Sequence, residues 1–156
     1  MSGAELLQLF EPAHCTFALR ATQRDAALQE ILSLVVPAGS PPHQVLVEML
    51  RKREAFGSTA AVKGVALPHG RSLAVSRLTG IFARSRPGVA FGAADGEPTH
   101  LFFVLLAPPH ERAHPYLPAL GRIVEILQDD DSRQRLLDAD GFDAFAAVVG
   151  ADRRPR

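Results

Sequence analysis

Residues 101–107 (Leu-Phe-Phe-Val-Leu-Leu-Ala) form an unbroken apolar run that constrains the fold more than any other stretch. A strand with one solvated face alternates apolar and polar residues, whereas a continuous run is typical of a strand buried on both faces. Pro108 and Pro109 follow directly and end the strand. The run therefore predicts a central sheet with helices covering each face.

The remaining segments predict an α/β (α+β sandwich) fold with a mixed central sheet flanked by helices on both faces. The order of elements is not a repeating strand–helix–strand pattern, so a Rossmann-type fold is not expected. Further strands are predicted at 14–20, at 64–67, at 78–84 and at 89–91, with turns at 86–88 and 94–98. Helices are predicted at 4–10, 22–35, 42–55, 115–128, 131–139 and 142–149.

The sequence also predicts an N-cap for one helix and the exposure of a histidine at the start of the next. Thr22 is a good N-cap residue, and Asp25 would lie at the third helical position, close to a capping box. His43 falls in the first turn of the next helix, where we expect it to be exposed.

Length and charge limit the function. The 156 residues suit a single domain (1–156), with its core at about 21–149, a short N-terminal helix and a basic C-terminal tail. Lys plus Arg equals Asp plus Glu at 17 each, which argues against non-specific nucleic-acid binding. A single cysteine, Cys15, excludes an internal disulfide and favours a core role for that residue in a reducing cytoplasm. No apolar run has the length of a membrane span, so we expect no membrane insertion.

Residues 64–71 (Gly-Val-Ala-Leu-Pro-His-Gly-Arg) are the strongest candidate site. Pro68 ends the preceding strand and places His69 on a loop. An imidazole is a competent nucleophile near neutral pH. Gly70 lacks a Cβ, so an anion on His69 could approach backbone N–H groups, and Arg71 offers donors shaped for phosphate. The same tripeptide, Pro-His-Gly, is also an ordinary turn signal.

A histidine that accepts a phosphoryl group needs one free ring nitrogen, donors for the phosphoryl oxygens and a partner that holds the other nitrogen. No metal or cofactor is required when the donor is itself a phosphohistidine. The groups that could gather around His69 are Arg53, Ser58 or Thr59, Arg71 and His114.

These motifs together resemble the enzyme IIA domain of the fructose–mannitol type of the bacterial phosphotransferase system (PTS), which includes the nitrogen-regulatory IIA proteins. The resemblance spans about residues 21–149. It is carried by Arg53-Glu54-x-x-Gly57-Ser58-Thr59, by residues 64–71, by Asp95-Gly96-Glu97-Pro98, by the apolar strand and by His114.

The resemblance implies a phosphoryl carrier of the fructose–mannitol IIA fold. His69 would be the phosphorylated histidine, His114 the second active-site histidine, and Arg53 the arginine lining the site. Supporting contacts to phosphate would come from Ser58, Thr59, Gly70 and Arg71. The phosphoryl group would come from the histidine phosphocarrier protein HPr or its nitrogen-branch relative, and ultimately from phosphoenolpyruvate.

Several alternatives stay open. A nitrogen-type IIA acts on regulatory partners, whereas a sugar-transport IIA passes phosphate to a IIB domain; a chain without fused PTS segments favours the first. A partner-binding regulator without chemistry is a further possibility. His110 and His114 are four residues apart, as in helical zinc ligands, but the surrounding prolines disfavour that helix.

In each PTS role the surface around His69 would be a docking site. Phe56, Val62, Leu67 and Leu73 could form an apolar patch there, with Arg71 at its rim, although each fits the core equally well and Leu67 is expected in the core. A phosphoryl group on His69 would make that patch anionic, which is a sufficient physical switch for partner choice.

Overall fold

A computed structural model describes residues 1–60, 63–111 and 114–152 of the chain. The six α-helices of this part are α1 (Gly3–Leu7), α2 (Arg24–Leu32), α3 (Pro41–Ala55), α4 (Tyr116–Gln128), α5 (Asp130–Asp138) and α6 (Phe142–Val149), with a 3₁₀ helix at Pro12–His14. Its strands are β1 (Cys15–Thr16), β2 (Val65–Ala66), β3 (His69–Arg71), β4 (Thr79–Val89) and β5 (Thr99–Ala107). Within these ranges, no helix combines the length and apolar character that crossing a membrane requires.

The sheet is mixed, as the sequence predicted. Strands β4 and β5 form an antiparallel pair at its centre. Strand β1 lies parallel to the outer side of β4, while β2 and β3 both lie parallel to the other side of β5. The turn that joins β4 to β5 contains Asp95-Gly96, with Gly96 at φ +73°.

Strand β5 separates two apolar cores, which confirms the prediction from its continuous apolar run. Successive side chains of a strand point to opposite faces, so a fully apolar strand can serve both. Phe103 and Leu105 pack with α1, α4, α5 and α6, whereas Phe102, Val104 and Leu106 pack with α2 and α3. The helices therefore form a layer on each face of the sheet.

The first strand is shorter than predicted. Only Cys15–Thr16 pairs with β4, where a strand over residues 14–20 was expected. The reason is Arg84, a buried residue of β4 whose guanidinium donates to the Phe17 carbonyl (3.0 and 2.8 Å) and to the Leu137 carbonyl (2.7 Å). A side chain thus satisfies the carbonyl that a longer strand would have offered to its neighbour.

The expected turn at 86–88 is instead an irregularity within one long strand. Pairing along β4 breaks between Arg84 and Val89 and then resumes. Pro87 cannot donate to a ladder, and Gly88 adopts φ +89° while its N–H donates to the Ser85 hydroxyl (3.0 Å).

Two expectations about helix starts were wrong. The N-cap of α2 is Gln23 rather than Thr22, because the Thr22 carbonyl accepts from Ala90 N–H (2.9 Å) beside a parallel bridge between Gln23 and Ala90. His43 is buried, not exposed. Its Nε2 donates to the Gln29 carbonyl (2.9 Å) and its Nδ1 accepts from Gly39 N–H (3.2 Å), so the ring links α2 to the start of α3.

Cys15 behaves as a small core residue, as expected. It packs at the edge of the core formed by α1, α4, α5 and α6. Burial raises the pKa of its thiol to about 12, which keeps the thiolate scarce near neutral pH.

We expect Arg84→Met to lower the free energy of unfolding by about 2–4 kcal/mol, because the Phe17 and Leu137 carbonyls lose their donors. Urea unfolding followed by circular dichroism would measure the loss. Arg86→Met, two residues along the same strand and exposed, is the matched control and should change stability by less than about 0.5 kcal/mol. Equal losses from both substitutions would contradict this role for Arg84.

Candidate functional site

The candidate histidine lies at a break in an edge of the sheet. Strands β2 and β3 pair with successive parts of β5, and Leu67-Pro68 separates them. Pro68 has no N–H to donate, although its carbonyl still accepts from Leu105 N–H (3.1 Å). His69 therefore belongs to a strand that resumes after the proline, and not to a loop as the sequence suggested.

This break positions the imidazole. Leu67 donates its N–H to the Thr59 carbonyl (3.2 Å), and its own carbonyl lies 2.6 Å from His69 Nδ1. A carbonyl only accepts, so Nδ1 carries the proton and Nε2 keeps its lone pair in the neutral ring. Among residues 1–60, 63–111 and 114–152, no hydrogen bond reaches Nε2. The half-buried ring is thus held in the tautomer that leaves the lone pair of Nε2 available.

Strand alternation decides what surrounds His69. His69 and Arg71 lie in register with Leu105 and Ala107 of β5, on the face that α4 covers. Gly70 points to the opposite face, where a Cβ would lie 2.4 Å from Met49 Sδ of α3. Gly70 therefore allows α3 to pack closely against β3, a reason that the sequence did not reveal.

On the α4 face, Tyr116 lies between His69 and Arg71. Its ring centroid is 6.3 Å from that of His69 and 4.7 Å from Arg71 Cζ. The Arg71 guanidinium also donates to the Pro108 carbonyl (2.9 Å) and lies 3.6 Å from Glu111 Oε1. The Arg71 guanidinium of β3 thus contacts both the loop after β5 and the first residue of α4.

Glu111 anchors this arrangement, although nothing in the sequence had singled it out. Its side chain is only 7% exposed, and Oε1 accepts from Tyr116 N–H (3.3 Å) as well as facing Arg71. The carboxylate therefore binds the first N–H of α4, where the helix dipole favours negative charge.

The Tyr116 phenol is electrostatically coupled to the site. Burial, the largest effect, raises its pKa, with a further rise from the negative charge of Glu111; Arg71 and Arg53 act in the opposite direction. The net result is a raised pKa, so the hydroxyl stays protonated at neutral pH and can donate a hydrogen bond.

Glu54, which the resemblance motif contains but to which no role was assigned, shapes the loop between α3 and β2. Glu54 is buried, and its carboxylate accepts from both the N–H (2.9 Å) and the hydroxyl of Thr59. Thr59 in turn binds Leu67, so this carboxylate supports the segment whose carbonyl holds His69. Thr59 contributes here as a structural link, and its hydroxyl is already engaged.

The other predicted site residues are placed differently. Arg53 is exposed at the end of α3, donates to the Gly57 carbonyl (3.0 Å) and acts on the Tyr116 phenol through its charge. The Ser58 hydroxyl donates to the Phe91 carbonyl (3.1 Å) and so links the loop after α3 to the segment that follows β4. His114 is exposed, with φ +45°, and the described residues show no contact between it and His69.

Exposed apolar side chains occur on the segments around His69. Phe56 is 92% exposed and Leu73 is 90% exposed, as expected of a docking patch, whereas Leu67 is half-buried and packs against the core. Leu117, which follows Tyr116 directly, is 72% exposed and was missed. Val62 and the basic tail lie outside the described residues.

The zinc alternative has no support in the described ranges. No group of three or more His, Cys, Asp or Glu side chains there could hold a metal ion.

The chain matches, over residues 8–151, the family described as "Phosphoenolpyruvate-dependent sugar phosphotransferase system, EIIA 2". It is 34% identical over 144 residues to a nitrogen regulatory protein of Bradyrhizobium diazoefficiens, with 92% of this chain and 94% of the relative covered. It is also 31% identical over 150 residues to a PTS fructose-specific EIIA component of Haloferax volcanii, with 93% and 92% covered.

Solved structures share the fold. The nitrogen regulatory protein IIA-Ntr of Neisseria meningitidis superposes with a TM-score of 0.82 at 29% identity, covering 91% of this chain and 97% of that one. Enzyme IIA for mannitol of Escherichia coli, solved in complex with phosphorylated enzyme IIB, gives a TM-score of 0.73 at 18% identity, covering 90% and 98%. An EIIA of this fold therefore forms a complex with a phosphorylated IIB, and at that identity the likeness to this chain concerns the fold alone.

We expect Glu54→Ala to lower the free energy of unfolding by about 2–3 kcal/mol, because the N–H and hydroxyl of Thr59 lose their shared acceptor. Native-state hydrogen exchange should show faster exchange at the Thr59 amide. Glu48→Ala removes a carboxylate from the surface of the same helix and should cost less than about 1 kcal/mol. Unchanged exchange at Thr59 in the Glu54 variant would exclude the proposed support.

Proposed function

We propose that His69 carries the phosphoryl group in this protein, which belongs to the EIIA 2 family of the phosphoenolpyruvate-dependent sugar phosphotransferase system and is a phosphoryl-carrier component of it. The observation that supports His69 is the 2.6 Å contact between its Nδ1 and the Leu67 carbonyl. That contact leaves the lone pair of Nε2 available to attack phosphorus.

The transfer balances without a further acid or base when the donor phosphohistidine carries a proton on its other ring nitrogen, because that imidazole then leaves in its neutral form. His69 Nε2 attacks the phosphorus of a phosphohistidine on the donor protein, so a new N–P bond forms as the donor's N–P bond breaks. The donor imidazole recovers its electron pair, and Nδ1 of His69 keeps its proton. The Leu67 carbonyl then stabilises the positive charge that the phosphorylated ring carries on its N–H side.

The phosphoryl oxygens need positive partners, and two arginines are available. Arg71 lies on the same face of β3 as His69, with its guanidinium against Tyr116. Arg53, at the end of α3, is the second cation, and its charge lowers the pKa of that same phenol. We assign both arginines to binding of the phosphoryl oxygens. Gly70 allows α3 to pack closely against β3. Thr59 and Ser58 stabilise the loop between α3 and β2 through their hydrogen bonds.

The donor is the phosphocarrier HPr or its nitrogen-branch relative, and it docks on the apolar surface of Phe56, Leu73 and Leu117. We assign a nitrogen-type regulatory role in the cytoplasm, in which phosphorylation changes the charge of this surface and thereby the choice of regulatory partner. The similarity to nitrogen regulatory proteins over almost the whole chain supports this role. The similarity to a fructose-specific EIIA component favours, as the second candidate, transfer of the phosphoryl group to a IIB domain.

The first test is phosphorylation of the purified chain by phosphoenolpyruvate, enzyme I and HPr, followed by intact mass. We expect an acid-labile phosphoryl adduct in the wild type and in His110→Ala, and none in His69→Ala. His110 is the control because it is an exposed histidine that follows β5 at the end where β5 pairs with β3, and no phosphoryl role is assigned to it.

Each other result has a definite meaning. An adduct that persists in His69→Ala would contradict the assignment of His69. No adduct in the wild type with either phosphocarrier would leave the third possibility, a partner-binding regulator without chemistry. Delivery of the phosphoryl group from the wild type to a fructose-type IIB domain would favour the transport role over the regulatory one.

The docking surface makes a separate prediction. The double variant Phe56→Ser/Leu73→Ser should raise the KM for phosphorylated HPr about tenfold and leave kcat within twofold, because few apolar anchors carry most of an interface's binding energy. Initial rates at several HPr concentrations would measure both constants. Val124→Ser, an exposed apolar position on α4, should leave KM unchanged; equal effects from both variants would argue against a localised docking surface.

A further inference from the structure

Tyr116 has a position in the site that the sequence assigned to a different residue. The resemblance pointed to His114 as the second ring beside His69, yet the ring that the structure places there is Tyr116, with 6.3 Å between the two centroids and an interplanar angle of 52°. His114 is exposed and shows no contact with His69 among the described residues. Two residues of separation at the start of a helix are enough to turn one side chain toward the sheet and the other toward solvent.

The surroundings of the phenol are those of an anion site. Arg71 lies over the ring at 4.7 Å, and the charge of Arg53 also acts on the phenol. Arg71 belongs to β3 and Arg53 to the end of α3, so cations from two different elements act on Tyr116, which packs beside His69. A group placed among them is well positioned to meet a phosphoryl oxygen.

We propose that Tyr116 is a catalytic residue of phosphoryl transfer, its ring packing against His69 while its hydroxyl donates a hydrogen bond to an oxygen of the transferred phosphoryl group. This inference rests on the proposed function, since it takes His69 as the acceptor. It gives the second-ring role to Tyr116 instead of His114.

The chemistry of the phenol suits this role. Burial keeps its pKa above the ordinary value, so the hydroxyl remains a donor throughout the neutral range and adds no negative charge to the site. Glu111 fixes the ring by accepting from Tyr116 N–H (3.3 Å). The same carboxylate, 3.6 Å from Arg71, keeps that cation beside the phenol. Glu111 is thus a positioning residue for both donors.

Tyr116→Phe tests the hydroxyl while keeping the ring that packs on His69. Initial rates of phosphorylation by purified phosphorylated HPr, measured over a range of its concentration, separate kcat from KM. We expect kcat to fall at least about tenfold with KM within twofold, because a hydrogen bond to a charged oxygen is lost at the transition state. The ³¹P resonance of the phosphohistidine should also shift, a change that loss of packing elsewhere would not produce.

His114→Gln and Val124→Ala complete the set, with thermal unfolding to show that each variant folds. We expect His114→Gln to lower kcat less than Tyr116→Phe, and Val124→Ala, an exposed change on the same helix, to match the wild type. A Tyr116→Phe variant with kcat within threefold of the wild type and an unshifted ³¹P resonance would overturn the proposal. A wild type that takes no phosphoryl group on His69 would instead show that the proposed function has failed, and the two failures are thereby distinguished.

Discussion

The contact between the Leu67 carbonyl and His69 Nδ1 is the interaction on which the site depends. It forms where an edge strand is interrupted at Leu67-Pro68, between the two segments that pair with successive parts of β5. Pro68 removes one ladder donor, and the Leu67 N–H pairs with Thr59 instead. The break in the strand thus selects one tautomer of the imidazole, in which Nε2 keeps its lone pair.

The two helical layers contribute in different ways to the positioning of His69. Layer α2–α3 supports it from behind, since Met49 packs where Gly70 lacks a Cβ and buried Glu54 holds the Thr59 loop. The start of α4 lies on the face of the sheet that carries His69 and Arg71, and Tyr116 contacts both of these side chains. Strand alternation is what assigns these roles, because residues 69 and 71 point to one face of the sheet and residue 70 to the other.

Part of the site was predictable and part was not, for definable reasons. His69, Gly70 and Arg71 form a continuous stretch, so their proximity needs no knowledge of the fold. The role of His114 was inferred from the family resemblance and stays a prediction, whereas the ring contact of Tyr116 with His69 depends on the rotation of α4 and had no signal in the sequence. Ser58 and Thr59 were grouped because they are adjacent, yet one hydroxyl bonds Phe91 and the other bonds Glu54. Glu54 stood in the motif that carries the resemblance but was given no role, and Glu111 was not singled out, because an acidic residue in a helix or a loop is ordinarily solvated.

The layered α/β architecture and the histidine at its edge follow from short stretches of sequence. The apolar run at 101–107 requires cover on both faces of the sheet, and the proline before His69 limits the backbone locally; both are short-range constraints. The burial of His43, the shortening of β1 beside Arg84 and the packing of Tyr116 on His69 depend instead on the folded arrangement. These outcomes depend on hydrogen bonds and packing between residues far apart in the chain, where relative rotation and register of elements set the partners and residue type alone does not.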